Sequence, residues 1–366
     1  MAVSLALGAG SSKAPELLKT LKDRDMLNKP FDEIIKSGIF DDKLKERLLK
    51  IKPDRINGIF KDCEKYDIRI ISAFDKEYPE RLLSIPAPPV VLYVKGNLPD
   101  IDVNPVFCIV GPRKISDFGQ KAAYSLSRRL GKAGMIIVSG TAAGGDSAAH
   151  SGALNAKAIS VMVSAEGIVT QLESKNHALC NRVLERGCII SENPPRAGAG
   201  KFSFPIRNRI MSGLSIGVAV VEAPKKSGAL ITASHAAEQG RDVFVIPGSP
   251  ADKCYEGSNA LLRDGATPLL DASDIFTRYI FDFPDKIDIK KAFGGEKEQN
   301  KKAQKKSTEG LSKEALLVYN NLVLPEFTVD DLSALELDGA QLLSALTELE
   351  MEHFISSAPG GIYKIS

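Results

Sequence analysis

Six short apolar runs rich in β-branched residues alternate with helical segments through the middle of this chain, and no other feature narrows the fold as much. The runs are Val106–Val110, Met135–Val138, Ala158–Val163, Cys188–Ser191, Ser215–Val221 and Asp242–Ile246. Apolar residues at helical spacing mark Gly119–Ala133, Asp146–Asn155, Lys175–Arg186, Asn208–Leu214, Leu230–Gln239 and Asn259–Asp264. Strands that are apolar along their length are buried on both faces, and intervening helices supply the crossovers that parallel pairing needs. The pattern predicts an α/β protein with a doubly wound, mostly parallel sheet, whose ligands bind beyond the carboxyl ends of the strands.

Around this core the sequence reads as further pieces. Residues 1–70 predict a small helical domain, with helices at Lys13–Lys22, Pro30–Ser37, Asp41–Ile51 and Pro53–Tyr66. Leu7-Gly8-Ala9-Gly10-Ser11 is similar to the hairpin of helix-hairpin-helix modules, although a plain glycine turn is the simpler reading. A proline-rich connector from Tyr78 to Pro89 leads into a strand at Val90–Val94 and the 71–285 core. Residues 286–307 are lysine- and glutamine-rich without an apolar period, which predicts a linker. Residues 308–366 predict a winged helix: helices near Ser312–Val323, Val329–Leu335 and Gly339–Glu350, then strands His353–Ser356 and Ile362–Ile365 around Pro359-Gly360-Gly361.

Charge separates these pieces more than the total of +2 suggests. Thr308–Ser366 sums to −8, Lys286–Lys306 to +5, and the rest of the chain to +5. The expected recognition helix, Gly339–Glu350, carries no Lys or Arg, whereas a duplex reader needs phosphate-neutralising side chains. Contact with protein, or with the basic body of the chain, suits the tail better. Five cysteines without a C-x-x-C pair fit reduced thiols in a cytoplasmic protein. No apolar run is long enough to span a membrane, and the start lacks the basic n-region of a signal peptide.

The strand ends carry the chemistry. After the first run stands Gly111-Pro112-Arg113-Lys114, and after the second Ser139-Gly140 through Gly144-Gly145-Asp146. The fifth leads to Lys225-Lys226-Ser227-Gly228, and Pro205 precedes Arg207-Asn208-Arg209 at an expected helix start. Glycines, cations and helix N-termini together predict a polyanion site. Neither G-x-G-x-x-G nor a P-loop nor a G-x-S-x-G elbow occurs, and no catalytic residue is expected. Asp146 and His150 share a helix face, which predicts a local hydrogen bond between them rather than a catalytic pair. His177 and Cys180 lack further ligands for a zinc site, so no metal is expected.

In order along the chain, Gly111-Pro112-Arg113-Lys114, Gly144-Gly145-Asp146-Ser147-Ala148-Ala149-His150, Phe204-Pro205-x-Arg207-Asn208-Arg209-Ile210-Met211-Ser212-Gly213-Leu214-Ser215, Lys226-Ser227-Gly228 and Ile246-Pro247-Gly248 resemble the DNA-processing protein A (DprA/Smf) family. The resemblance covers Asp75 to about Phe276. It implies an extended Rossmann-like core, flanked by an N-terminal domain of SAM or helix-hairpin-helix kind and a C-terminal winged helix. It also implies a homodimer joined through the core that binds single-stranded DNA in natural transformation, without a nucleotide cofactor, and helps load RecA onto it. Gly111, Arg113, Lys114, Ser139, Gly140, Arg207, Asn208, Arg209, Lys226, Ser227 and Gly228 are the implied strand-binding residues. Departures from the family pattern are Pro112 for Ser or Thr, Ala143 for Arg, and Leu172-Glu173 for Tyr-Pro.

Three aromatic residues, Phe118, Phe202 and Phe204, lie close enough in sequence to the basic motifs to stack on bases, although Phe204, next to Pro205, reads first as a core residue. The competing class is a nucleotide-processing enzyme of the lysine-decarboxylase-like (phosphoribohydrolase) type. It requires a glutamate soon after the Ser227-Gly228 helix start, yet the first acid there is Glu238.

Overall fold

Alternate side chains of Val106–Val110 go to opposite sides of a sheet: Val106, Cys108 and Val110 join one hydrophobic cluster, Phe107 and Ile109 another. Two-sided burial is what a central parallel strand requires. In the computed structural model, which describes residues 1–23, 26, 29–293, 311–322, 326–329, 332, 335, 337–352, 354–358 and 362–365, this strand lies within a nine-stranded sheet. The strands are β1 (Arg69–Ser72), β2 (Val91–Gly96), β3 (Val106–Val110), β4 (Ile136–Ser139), β5 (Ser160–Ser164), β6 (Cys188–Ser191), β7 (Gly217–Val220), β8 (Asp242–Val245) and β9 (Thr267–Pro268).

Their order is β1-β2-β6-β5-β4-β3-β7-β8-β9. Neighbours from β6 to β9 are parallel. At the other edge β2 runs antiparallel to β6 and β1 antiparallel to β2. From β3 the chain walks outward through β4 and β5 to β6, then returns to lay β7 on the other side of β3. The β3–β7 boundary is therefore the topological switch point, where a crevice opens at the carboxyl edge.

The helices of this unit are α1 (Ala2–Leu7), α2 (Ala14–Asp23), α3 (Phe31–Lys36), α4 (Asp42–Leu49), α5 (Pro53–Lys65), α6 (Glu80–Leu83), α7 (Asp117–Lys132), α8 (Gly145–Asn155), α9 (Ile168–Leu172), α10 (His177–Leu184), α11 (Ser203–Leu214), α12 (Gly228–Glu238), α13 (Glu256–Arg263), α14 (Ala272–Tyr279) and α15 (Ile289–Phe293). Apolar side chains of α11 and α12 cover one face of the sheet, and those of α7, α8 and α14 the other. Helices α1 to α4 close over their own cluster, centred on Leu17, Leu21, Leu44 and Leu48. The glycine turn before α2 is used internally, since the Gly10 amide donates to the Glu192 carboxylate at 3.3 Å.

The chain divides into units 1–293 and 294–366. Ile287 and Ala292 are buried, so the lysine-rich segment stays attached to the first unit as far as Phe293. The expected linker residues 294–307 lie outside the described residues. In the second unit α16 (Lys313–Asn321) and α17 (Gly339–Met351) pack beside a sheet of β10 (Glu326–Thr328), β11 (Ile355–Ala358) and β12 (Ile362–Ile365), ordered β10-β12-β11. Asp338 and Gln341 form a capping box at the start of α17. His353, Pro359-Gly360-Gly361 and most of the expected Val329–Leu335 helix lie outside the described residues.

Candidate nucleic-acid interface

At the switch point a cleft of about 410 Å³ opens between the loop after β3, the loop after β7 and the amino half of α11. Gly111, Arg113, Lys114, Arg207, Asn208, Lys226, Ser227 and Gly228 line it, as do Phe204, Asp146 and Thr232. The Arg113 guanidinium lies over the Phe204 ring, 4.6 Å from its centroid, and that of Arg207 is 6.0 Å away. This pairs a half-buried aromatic ring with two cations.

Arg207 is only 5 % exposed, and its reach is fixed from behind. One guanidinium nitrogen donates to the Val163 carbonyl at the end of β5, and Nε donates to Asn208 Oδ1 at 3.1 Å. Burial lowers the Arg207 pKa, and Asp146 opposes that shift. Burial likewise pushes the Asp146 carboxyl up, against the pull of Arg207. Both groups crowd Gly140, where a Cβ would run into them. Gly140 and Ser139 thus lie beneath the cleft instead of lining it. Ser139 Oγ donates to the Ile109 carbonyl at 2.7 Å and ties β4 to β3.

Asp146 and His150 do not bond to each other, contrary to the expectation from their spacing. Asp146 accepts from the Ala142 amide at 3.1 Å, closing its own loop. His150 is fully buried; Nε2–H donates to the Gly140 carbonyl at 2.9 Å, which leaves Nδ1 to accept from the Ser160 hydroxyl at 2.7 Å. Burial lowers its pKa to about 4, so the ring is neutral.

The helix expected to start after Pro205 starts earlier. Helix α11 begins at Ser203 and takes Pro205 into its first turn, where a missing N–H costs nothing. Arg207, Asn208 and Arg209 consequently lie beyond the free amides of the helix start. Successive positions also point differently. Arg209 is not brought to the cleft: it pairs with both Glu192 oxygens at 2.8 and 2.9 Å and donates to the Ala87 carbonyl at 2.7 Å.

The start of α12 keeps the expected form. Ser227 caps it by accepting from the Ala229 amide at 3.2 Å, and Asn208 Nδ2 donates to the Gly228 carbonyl at 3.1 Å. No atom lies within 4 Å of a Cβ placed on Gly228, so packing alone does not demand glycine there. Gly111 differs: its Cβ would meet the Gly145 Cα at 3.1 Å, because the loops after β3 and β4 touch back to back. Pro112, which lacks an amide, contributes its carbonyl to the Gly145 amide at 3.2 Å. Lys225 pairs with Glu256 at 3.3 Å, while Lys114 and Lys226 have no ion pair among the described residues. Sequence reasoning missed Asp146 and Thr232 as cleft residues. A carboxylate opening a helix at a strand end was the available signal for the first; the second had none.

Fold and cleft together define a doubly wound α/β protein with a cationic, aromatic-lined groove at its switch point. The chain belongs to the DNA recombination-mediator protein A family, whose model matches residues 69–280. It is 39% identical over 209 residues to DNA processing protein DprA of Bacillus subtilis, covering 57% of this chain and 70% of that protein. With DprA of Streptococcus pneumoniae it shares 38% over 236 residues, 64% of this chain and 81% of the relative. The X-ray structure of that pneumococcal protein superposes with a TM-score of 0.66 at 32% identity, over 75% of this chain and 95% of the other. A Helicobacter pylori DprA structure, described as giving insight into a unique single-stranded DNA binding mode, superposes with a TM-score of 0.54 at 27% identity, over 59% and 97% of the two chains. Among the described residues no helix is long and apolar enough to cross a membrane.

Proposed function

We propose that this protein is a single-stranded DNA-binding recombination mediator, which receives incoming strands in natural transformation and helps load RecA onto them. In this reading it is cytoplasmic, acts as a homodimer joined through its Rossmann-like core, and needs no nucleotide cofactor. Residues 1–70 form its accessory helical domain, and 308–366 an acidic winged helix that meets protein. The observation that carries the reading is the Phe204 ring held by Arg113 beside the desolvated Arg207. Sequence-tolerant strand binding needs a π-face for a base and fixed cations for the phosphates. The single-strand-binding relative from Helicobacter pylori supports it.

Anisotropy titrations of a labelled single-stranded oligonucleotide across a salt series test this, with equal-length duplex alongside. Binding should favour the single strand and weaken steeply with salt. Arg113→Ala should lower affinity and flatten the log–log salt slope by about 0.7, the loss of one phosphate contact. Equal affinity for duplex, or an unchanged Arg113→Ala, would refute the cleft. Release of base from nucleoside monophosphates would instead favour the phosphoribohydrolase class.

A further inference from the structure

Phe118 opens a second hollow on the same carboxyl edge. Its ring is 60 % exposed and sits edge-on to Tyr255, centroids 6.5 Å apart. An exposed phenylalanine alone is ordinary; its surroundings here are not. Together with Ser116, Asp252, Tyr255 and the Pro247-Gly248-Ser249 loop it lines a hollow of about 470 Å³ beside the β8 terminus. That loop is locked. Asn259 accepts from the Gly248 amide at 3.2 Å and donates to its carbonyl at 3.0 Å, and the Tyr255 ring occupies the space a Cβ on Gly248 would need. Tyr255 is itself buried, so the aromatic pair is anchored on one side and open on the other.

The hollow and the cleft share no lining residue, but the loop after β3 runs from one to the other, with Lys114 in the cleft and Ser116 in the hollow. Both lie at the carboxyl edge, one between β3 and β7 and the other beyond β7 toward β8. Lys114 lines the cleft four residues before Phe118, and Lys121 follows one helical turn after it. An exposed aromatic face on the same edge as a cationic, aromatic-lined groove suits an unpaired base better than an apolar peptide. We infer that Phe118 is a second stacking platform, which takes a neighbouring base of the strand whose backbone lies in the Arg113–Lys226 cleft. The inference rests on the single-strand-binding reading above.

The chain contains no tryptophan, so Phe118→Trp installs a sole reporter that keeps the stacking face. Oligonucleotide binding should quench its emission along the same isotherm that anisotropy reports. Phe281→Trp is the control: Phe281 is 88 % exposed and adjoins α14, whose Tyr279 bonds Ile216 and Asp242 at the opposite strand ends. That variant should bind without quenching. Phe118→Ala should lose about tenfold in affinity for oligonucleotides long enough to leave the cleft, but little for a dinucleotide. Binding with unchanged emission from Phe118→Trp, together with an unaffected Phe118→Ala, would overturn the platform while leaving the cleft intact. Emission that changes with protein concentration in the absence of DNA would also overturn it, by showing that the hollow takes a second protein. No binding by the wild type at any length would sink the underlying reading instead.

Discussion

Arg207 and Arg209 are two positions apart, about 200° around a helix, and their environments divide accordingly. Arg207 lines the cleft, whereas Arg209 is consumed by Glu192 behind it. Removing one partner of a buried ion pair leaves the other charge stranded. Arg209→Ala should therefore cost about 3–5 kcal/mol in urea unfolding, while Arg113→Ala, exposed at the rim, should leave the midpoint alone. His150 sets a pH dependence. Its folded pKa of about 4 lies below the ordinary 6.5, so the unfolded chain binds the proton more readily. This contribution is whole above pH 6.5 and is lost as pH falls toward 4. Between pH 6.5 and 5 it should remove about 2 kcal/mol, and His150→Gln should lack that component. The sequence displayed these residue types but not their directions. The RNR run reads as three equivalent polar groups until the true start of α11 fixes which of them faces the cleft.

Glycines decide how closely the elements approach. Gly152 of α8 lies where a Cβ would collide with the Tyr124 carbonyl and the Ser127 Cβ of α7, so the two helices meet through it. Gly58, in the middle of α5, has nothing within 4 Å of a Cβ. Gly152→Ala should destabilise by about 1–3 kcal/mol through overpacking. Gly58→Ala should stabilise by about 0.5–1 kcal/mol, by restricting the unfolded chain and raising helix propensity. Paired denaturation curves would read both signs. The central strands were legible because burial on both faces writes continuous apolar runs. The edge was not: β1 is four residues of mixed polarity and β9 is two exposed residues, and both are strands only because a neighbour supplies the ladder. Likewise α1, six residues at the chain start, is too short for a helical period to show.

At the scale of the molecule, 1–293 and 294–366 are separate units with opposite charge. Deleting Thr308–Ser366 should leave the unfolding transition of the first unit and its strand affinity unchanged, since that segment sums to −8. A large loss of affinity in a folded truncation would place part of the binding surface in the tail. The charge asymmetry was readable from composition. How the N-terminal residues join the core was not, because it depends on Gly10 meeting a carboxylate 182 residues away. That meeting has a mechanical meaning. Glu192 grips both Gly10 and Arg209, while Arg207, two residues back on the same rigid rod, looks into the groove. Helix α11 is in effect a lever with the groove-facing arginine on one side and its tether on the other, so any load placed on Arg207 would be borne partly by the first ten residues of the chain.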